Sequence, residues 1–379
     1  MRRILFLTGS RGEYGYIRPI LKRISKGAEL QAYVVATNMH LLPEFGASID
    51  EFKRDNIVVH ERPLMALAGY TRESMAKSLG IFQMAVVDIL SRENPDFVLL
   101  AGDRGEQLMG AIAASHMYIP VAHIQGGELS GNIDGMTRHA ITKFAHIHFA
   151  SNQDAAERLY RMGEEPFRVH VVGAPQLDEL MEQPVLSREE VRARFNSEDG
   201  KPLLLILQHP VTEQYALSGE QMRVTLETVA KLGYNAVVIF PNNDAGSIPI
   251  QRAIEEVRSP RFHVERNLPR NLFSSLLAGA DVIVGNSSAG LLEAPTFELP
   301  AVNIGTRQRG RLQGANVINV GHDRDEIAAA IRRAVSPEFR MSLKAKPNPY
   351  GDGRSSQRVI KILSETPVDE RLLVKRMTY

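Results

Sequence analysis

The chain has 379 residues, of which 44% are hydrophobic, a length that favours two domains over one. Its 45 basic and 44 acidic residues nearly cancel, which argues against a broad basic surface for nucleic acid or an anionic membrane. The absence of cysteine excludes disulfides, thiolate catalysis and cysteine-ligated metals. Because no apolar export signal precedes the first predicted strand and no segment is long enough to span a bilayer, we expect a cytoplasmic protein.

Short apolar segments alternate with longer helical patterns through the first half of the chain. The predicted strands are 3–8, 31–36, 96–101, 120–124, 146–150 and 169–172. The predicted helices between them include 14–26, 71–91 and 106–117. Strands that alternate with helices in this way indicate parallel βαβ units, and hence an α/β protein.

The same pattern starts again after residue 180. Strands are predicted at 201–207, 235–240, 262–264, 281–284 and 301–304, with a linker and a helix within 182–201. We therefore predict two Rossmann-like, doubly wound domains, 1–180 and 181–345, facing each other across a cleft that holds the site. The tail, 346–379, contains a loop and a helix at 356–364, and we expect this helix to pack back on the first domain.

A glycine-containing segment, 9–15, follows the first strand and opens a helix. This arrangement can bring backbone amides and Arg11 against a phosphate. The spacing differs from the dinucleotide fingerprint, and the second strand ends in Thr37 and Asn38 without an acidic residue for a ribose. The segment therefore predicts no NAD site, and an ordinary tight turn is the alternative to a phosphate site.

A second polar segment, 285–290, follows the strand 281–284. Ser287 and Ser288 offer hydroxyls beside the free amides of a helix start, and Glu293 is placed to accept from two ribose hydroxyls. The alternative is a serine-capped helix with an acidic first turn. Because Arg307 and two further arginines follow the next strand within five residues, a diphosphate site is favoured.

Carboxylates follow the strands of the first half. Asp103 comes after the strand 96–101, Glu128 after the strand ending at 124, and Asp134 six residues later. Grouped carboxylates can serve as acid and base, and His209, at the end of the first strand of the second half, is a further candidate. The alternatives are helix caps for the two aspartates and a structural role for the histidine. His146 and His148 lack a third ligand nearby, so no metal site is predicted.

Taken together, these segments resemble the hydrolysing UDP-N-acetylglucosamine 2-epimerases. That family includes bacterial enzymes of sialic acid synthesis and the epimerase half of the animal bifunctional epimerase/kinase. The matching segments cover nearly the whole chain and include 102–104, 123–128, 138–143, 208–212, 285–288 and 303–308. The resemblance implies a fold of the glycosyltransferase-B type and a homodimer or dimer of dimers. We expect no kinase half, because the chain is too short for one, and no cofactor, because an acidic residue after the second strand and a metal-ligand cluster are both lacking.

The resemblance also implies an activity. UDP-N-acetylglucosamine would lose its C2 proton and then UDP, giving a glycal, and water would add to release N-acetylmannosamine for sialic-type acid synthesis. The implied acid–base residues are Asp103, Glu128, Asp134 and His209. The implied nucleotide-binding residues are Arg11, Arg104, Ser287, Ser288, Glu293 and Arg307.

Several alternatives stay open at this point. Relatives act on UDP- or GDP-linked diacetylbacillosamine for legionaminic acid synthesis, and neither the sugar nor the base can be deduced from this chain, although 267–273 is a candidate for base contact. Which carboxylate is the base and which the acid is equally open. A retaining glycosyltransferase and a non-catalytic sugar-nucleotide sensor are the competing classes of function.

Overall fold

The computed structural model describes residues 1–27, 29–43, 48–68, 71–130, 133–181, 186–197, 199–242 and 244–378. The chain divides into two compact units, the first formed by Met1–Leu129, Ile133–Glu179 and Tyr350–Tyr379 and the second chiefly by Leu180–Pro349. Within the described ranges, no helix combines the length and apolarity that crossing a membrane requires.

The first unit is built on a six-stranded parallel sheet in the order β2-β1-β3-β4-β5-β6. Its strands are β1 Arg2–Thr8, β2 Leu30–Ala36, β3 Phe97–Ala101, β4 Val121–Ile124, β5 Ile147–Ala150 and β6 Val169–Val171. Its helices are α1 Arg11–Ser25, α2 Ile49–Arg54, α3 Arg72–Glu93, α4 Gly105–His116, α5 Ile133–Phe144 and α6 Gln153–Arg161, followed by α7 Gln176–Leu180. The central strand β3 reads Phe-Val-Leu-Leu-Ala and is buried throughout, as expected for a parallel strand covered on both faces.

The second unit repeats this architecture, with the sheet order β12-β11-β10-β7-β8-β9 and every pair parallel. Its strands are β7 Leu203–Leu207, β8 Asn235–Ile239, β9 Phe262–Glu265, β10 Val282–Gly285, β11 Ala301–Ile304 and β12 Val317–Val320. Its helices are α8 Arg188–Arg194, α9 Ser218–Leu232, α10 Ser247–Glu256, α11 Arg270–Gly279, α12 Ala289–Leu292, α13 Arg324–Ala334 and α14 Pro337–Ser342.

The tail completes the first unit. Its helices are α15 Ser355–Glu365 and α16 Glu370–Leu373, and α15 packs on α1. Val359 and Leu363 of α15 are fully buried in the same core cluster as Ile17 and Ile20 of α1. The amides of Ser355 and Ser356 donate to the Asp178 carboxylate at 2.9 and 2.7 Å, which fixes the start of α15. Residues 346–349, by contrast, belong to the second unit.

The bounds of one helix and the presence of one strand differ from the sequence-based expectations. Helix α1 begins at Arg11, three residues earlier than predicted, because Ser10 and Glu13 form a capping box at its start. Strand β12 was not predicted, since it is a half-exposed edge strand that lacks the buried apolar run of the others. In the predicted linker region, α8 occupies 188–194, while 182–185 and 198 lie outside the described residues.

Candidate functional site

Each sheet has a topological switch point, a pair of adjacent strands from which the chain continues to opposite edges of the sheet. In the first unit it lies between β1 and β3, and in the second between β7 and β10. Open α/β sheets bind ligands beyond the carboxyl ends of the strands at such points. Arg11 and Asp103 follow the first pair of strands, and His209 and Ser287 follow the second.

Asp103 is held by an arginine to which sequence analysis assigned no role. Arg138 lies on α5 and is almost completely buried. Its guanidinium donates to Oδ2 of Asp103 and, at 2.8 Å, to the carbonyl of Gln125. The bond to Arg138 stabilises the negatively charged form of Asp103. A role of Asp103 as a helix cap is wrong, because Arg104 occupies the N-cap position of α4.

Glu128 is placed by a strained turn after β4. Gln125 adopts a left-handed backbone conformation, with φ +65°, and Gly127 has φ +79°. A Cβ at Gly127 would collide with the carbonyl oxygen of Ala155, so only glycine fits there. The turn leaves Glu128 almost completely buried, and Nδ2 of Asn152 donates to its Oε1 at 2.7 Å.

Asp134 is the second residue of α5 and is partly exposed. It therefore lies inside the helix, and the alternative of an N-cap is wrong. A carboxylate in the first turn is stabilised by the helix dipole. Since α5 carries both Asp134 and Arg138, the position of this one helix affects two groups at the site.

The loop after β1 satisfies its own amides. The N–H groups of Gly9 and Ser10 both donate to Oε2 of Glu13, the latter at 3.1 Å. These two amides are therefore already bonded within the loop and are not free to bind a phosphate. Arg11, the first residue of α1, remains a candidate through its side chain, and burial lowers the pKa of its guanidinium.

Two buried glutamates, which sequence analysis missed, lie at the first switch point. Glu106 is buried, and its Oε1 accepts from Nε of Arg104 at 3.1 Å and from Nδ2 of Asn38 at 3.2 Å. Gly9 packs so closely on Glu106 that a Cβ there would overlap the carboxyl group. Burial and the charge of Glu106 raise the pKa of Glu13 well above its ordinary value. The available signal was the acidic residue three positions after Ser10, the spacing of a capping box.

In the second unit, Asn286 links three loops. Its Oδ1 accepts from the amide of His209 at 2.7 Å, and its Nδ2 donates to the carbonyl of His209 at 2.8 Å. Its own carbonyl accepts from Gln308 at 2.9 Å and from Arg307 at 3.4 Å. The amide of Asn242 donates to Nδ1 of His209 at 3.1 Å, so a neutral ring carries its proton on Nε2.

The helix after β10 is short. It consists only of α12, and a 3₁₀ turn, Ala294–Phe297, follows it. Ser287 accepts from the amide of Ala289 at 3.3 Å, whereas Ser288, at the N-cap, makes no side-chain capping bond. The alternative of a serine-capped helix with an acidic first turn is therefore wrong for Ser288, which makes no capping bond, and α12 has no acidic residue in its first turn.

Glu293 lies at the C-terminal end of α12 and is 8% exposed. Its Oε1 accepts from Arg270 at 3.1 Å, while its buried Oε2 has no hydrogen-bond partner within the described part of the chain. A buried carboxylate oxygen without a protein partner is available to accept hydrogen bonds from a ligand.

The three arginines after β11 have different environments. Arg307 bonds to Asn286 as described above, Arg311 is buried and donates to Gln308 at 3.0 Å, and Arg309 is exposed. Of the three, Arg307 therefore has the bond that places it beside the loop after β10.

The two histidines that suggested a metal have other partners. Nδ1 of His146 accepts from the amide of Val121 at 3.0 Å, and Nε2 of His148 bonds to Glu164 at 2.9 Å. Over the ranges that the structure describes, no group of three histidine, cysteine or carboxylate side chains is arranged to hold a metal ion.

Comparison with known proteins agrees with this architecture. The pattern of the family described as UDP-N-acetylglucosamine 2-epimerase matches residues 22–364. A UDP-N,N'-diacetylbacillosamine 2-epimerase (hydrolyzing) from Legionella pneumophila is 36% identical over 381 residues, covering 100% of both chains. A UDP-N-acetylglucosamine 2-epimerase from Neisseria meningitidis is 33% identical and covers 89% of this chain and 88% of the relative.

A solved structure supports the fold. UDP-GlcNAc 2-epimerase from Neisseria meningitidis, crystallised with UDP-GlcNAc, has a TM-score of 0.82 at 21% identity, covering 96% of this chain and 100% of that chain. The predicted α/β class, with two Rossmann-like units of the glycosyltransferase-B type, is confirmed. By the extent of the family match and of the full-length relatives, this chain belongs to the UDP-N-acetylglucosamine 2-epimerase family.

Proposed function

We propose that the protein is a hydrolysing 2-epimerase that converts a UDP-linked 2-acetamido sugar into the free 2-epimer and UDP. The observation that carries this proposal is the group of carboxylates in the first unit: Asp103 held by Arg138, and buried Glu128 held by Asn152. A glycosyltransferase or a sensor needs a nucleotide site but has no comparable use for several fixed carboxylates. Asp134, on the helix of Arg138, completes the proposed set.

The proposed reaction assigns these groups a proton transfer on each side of the sugar ring. One carboxylate removes the C2 proton, the C1–O bond breaks, and UDP leaves with the bonding electrons, giving a C1=C2 glycal. Water then adds its hydroxyl to C1 and gives its remaining proton to a carboxylate, while a second acid delivers a proton to C2 from the opposite face. Nδ1 of His209 accepts from the amide of Asn242, so its Nε2–H is suited to donate a hydrogen bond to the departing phosphate.

The proposed nucleotide site lies at the second switch point. Oε2 of Glu293, buried and without a described partner, is suited to accept from the ribose hydroxyls. Arg307, together with Ser287 and Ser288 beside the Asn286 loop, is suited to the diphosphate. Arg11 and Arg104 are proposed as further cations for the phosphates, and the Glu106 carboxylate orients Arg104.

For the sugar, we propose UDP-N,N'-diacetylbacillosamine ahead of UDP-N-acetylglucosamine. The Legionella relative, which is named for UDP-N,N'-diacetylbacillosamine, is 36% identical to this chain over its full length. The Neisseria relative, which is named for UDP-N-acetylglucosamine, is 33% identical over 89% of this chain. The product would then serve legionaminic rather than sialic acid synthesis. GDP-linked sugar is the remaining alternative for the nucleotide.

The test is incubation with each UDP- and GDP-linked sugar in heavy water, followed by phosphorus and proton NMR. We expect free UDP together with a free 2-epimer that carries one deuterium at C2. Accumulation of a nucleotide-linked epimer without UDP would overturn the hydrolysing assignment. UDP release only when an acceptor sugar is added would indicate a glycosyltransferase, and binding without any reaction would indicate a sensor.

We also propose that turnover needs neither NAD nor a metal ion. The second strand ends in Thr37 and Asn38 without an acidic residue for a cofactor ribose, and elimination and hydration of a sugar leave its oxidation state unchanged. Exhaustive chelation should leave the rate unchanged. Loss of turnover that one specific metal restores would contradict this.

A homo-oligomer, either a dimer or a dimer of dimers, is proposed as the working state. Helix α3 exposes Met84 and Val87 at its surface and is the predicted contact region. Sedimentation at micromolar concentration tests this, and a monomer would count against it.

A further inference from the structure

The C-terminal tail inserts a lysine into the first unit. Lys375 follows α16, and its side chain is only 12% exposed. Its Nζ donates to the carbonyls of Thr142 and Ala145 at 2.5 and 2.7 Å and lies 2.6 Å from Oε2 of Glu164. A surface lysine would not give up its hydration for these contacts unless the chain were held in place.

A buried arginine holds the tail backbone. The guanidinium of Arg168 is fully buried and donates to the carbonyls of Arg371, Leu372 and Val374 at 2.9, 2.8 and 3.2 Å. Arg371 and Leu372 belong to α16 and Val374 is its C-cap, so these are carbonyls that a short helix leaves without internal partners. The segment that carries Lys375 is therefore a fixed part of the first unit.

Two carbonyl partners of Lys375 connect it to the candidate site through helix α5. Thr142 and Ala145 lie at the C-terminal end of α5, where a cation complements the helix dipole and the open carbonyls. The same helix carries Arg138, which binds Asp103, and Asp134 in its first turn. The ammonium thus fixes the far end of the helix that supports two site groups.

The carboxylate partner of Lys375, Glu164, connects it to the candidate site through the sheet. Glu164, which binds Lys375, also accepts from Nε2 of His148 on β5 at 2.9 Å. His148 is in register with His123 on β4, and Nε2 of His123 donates to the carbonyl of Gly102 at 2.7 Å. Gly102 immediately precedes Asp103. Each imidazole has one nitrogen committed to a hydrogen bond that fixes its tautomer.

We propose that Lys375 is a positioning residue for the acid–base groups, acting through α5 and through the Glu164–His148–His123 line to hold Asp103 and Asp134. This proposal rests on the proposed function, because it assigns those carboxylates to catalysis. Lys375 itself touches neither substrate nor reacting atoms. Its loss should lower kcat and leave nucleotide binding by the second unit unchanged.

Charges around Lys375 define a pH window for this role. The groups that face it are Glu164, Lys143, His146, His148 and Arg168. Burial lowers the pKa of Lys375 to about 8, although Glu164 opposes the shift. Burial also lowers the pKa of His148 to about 4, so its ring is neutral when it donates to Glu164.

The Glu164 carboxylate remains charged across this window. Burial favours its neutral form, but the bonds from His148 and Lys375 prevail and lower its pKa to about 2. The ammonium–carboxylate pair is therefore intact at neutral pH and is lost as Lys375 deprotonates above about 8.

The experiment compares Lys375→Met and Lys375→Arg with Arg376→Met, which removes the adjacent exposed cation. Steady-state kcat and KM are measured from pH 6 to 10 on the UDP-sugar that the wild type turns over, and UDP affinity is measured by calorimetry. Lys375→Met should lower kcat about ten- to a hundredfold, as expected for small misplacements of reacting groups, with UDP affinity unchanged. Wild-type kcat should fall above pH 8, Lys375→Arg should move this fall to higher pH, and Arg376→Met should match the wild type.

The outcomes separate this proposal from the proposed function. Wild-type kcat and pH profile in Lys375→Met would overturn the positioning role, as would an unchanged alkaline limb in Lys375→Arg. If the wild type turns over no UDP-sugar, the proposed function fails, and nitrogen NMR of the histidines then tests the network alone. Lys375→Met should shift the signals of His148 and His123, and unchanged His123 signals would overturn the proposal. Should Lys375→Met fail to fold, Lys375→Arg and the wild-type pH profile still decide it.

Discussion

The two switch points are built on sheets of the same design but hold their polar groups in different ways. In the first unit, carboxylates are bonded to buried side chains: Asp103 to Arg138, and Glu128 to Asn152. In the second unit, Asn286 ties the loops together through backbone groups, and Oε2 of Glu293 is left without a described partner. Fixed carboxylates suit proton transfer, whereas an unsatisfied buried oxygen suits ligand binding.

This contrast shows how one architecture can serve two tasks. A parallel sheet places loops at the carboxyl ends of its strands, but the side chains that support those loops decide their chemistry. In the first unit the support comes from side chains on or beside helices, Arg138 of α5 and Asn152 at the N-cap of α6. In the second it comes from neighbouring loops within the same sheet edge.

The largest effect is expected for Glu128→Gln. This change keeps the size of the side chain and its bond to Asn152 but removes the titrating group, so turnover should fall by roughly two to four orders of magnitude. UDP affinity, measured by calorimetry, should stay near the wild-type value. Glu157→Gln, which replaces an exposed carboxylate on α6 by a carboxamide, is the matched control. Normal turnover with normal deuterium uptake at C2 would show that Glu128 transfers no proton.

Arg138→Met tests the support of the first switch point. It removes a buried cation from Asp103 and from the Gln125 carbonyl, and breaking a buried pair lowers the free energy of unfolding by about 3–5 kcal/mol. Chemical denaturation measures this, with Arg161→Met on α6 as the exposed control. If Arg138→Met lost no more unfolding free energy than Arg161→Met, the positions of Asp103 and of the turn after β4 would not depend on Arg138.

Glu293→Ala tests the second switch point. If Oε2 binds ribose hydroxyls, the variant loses charge-assisted hydrogen bonds worth about 1.5–3 kcal/mol, or roughly ten- to a hundredfold in UDP affinity. Arg307→Ala should weaken UDP binding by a similar factor, through the diphosphate. Glu338→Ala on α14 is exposed and should bind normally. Unchanged UDP affinity in Glu293→Ala would move the nucleotide site elsewhere.

The smallest effect concerns pH and Glu13. Because burial and Glu106 raise its pKa in the folded protein, its contribution to stability is complete below the ordinary value of 4.5 and is lost as pH rises through the raised folded pKa. Glu13→Gln should therefore equal the wild type in thermal stability at low pH and exceed it at alkaline pH. Glu29→Gln, an exposed change before β2, should show no such divergence. Parallel melting curves for Glu13→Gln and wild type would contradict the raised pKa.

The sequence by itself determined the class of fold and most of the strands. A continuous apolar run as short as Leu-Leu-Leu-Ile-Leu in β7, between helical patterns, favours a buried strand over a helix, so local composition and length were enough. It also placed polar residues after those strands, which is where parallel sheets bind ligands. The half-exposed strand β12 was not predicted, because an edge strand needs no continuous apolar run.

Tertiary structure decided which of these residues have fixed partners. Arg138, Glu106 and Lys375 contact Asp103, Arg104 and α5 across separations of 35, 2 and up to 233 residues. Residues that lie so far apart in the chain, as in the Arg138 and Lys375 contacts, leave no local sequence pattern that would reveal their pairing. The Glu106–Arg104 contact is short in sequence, but there Glu106 looks like an ordinary acidic residue in the first turn of α4. Buried charges must find partners wherever the fold brings them together, so their pairing is set by packing and not by the order of residues along the chain.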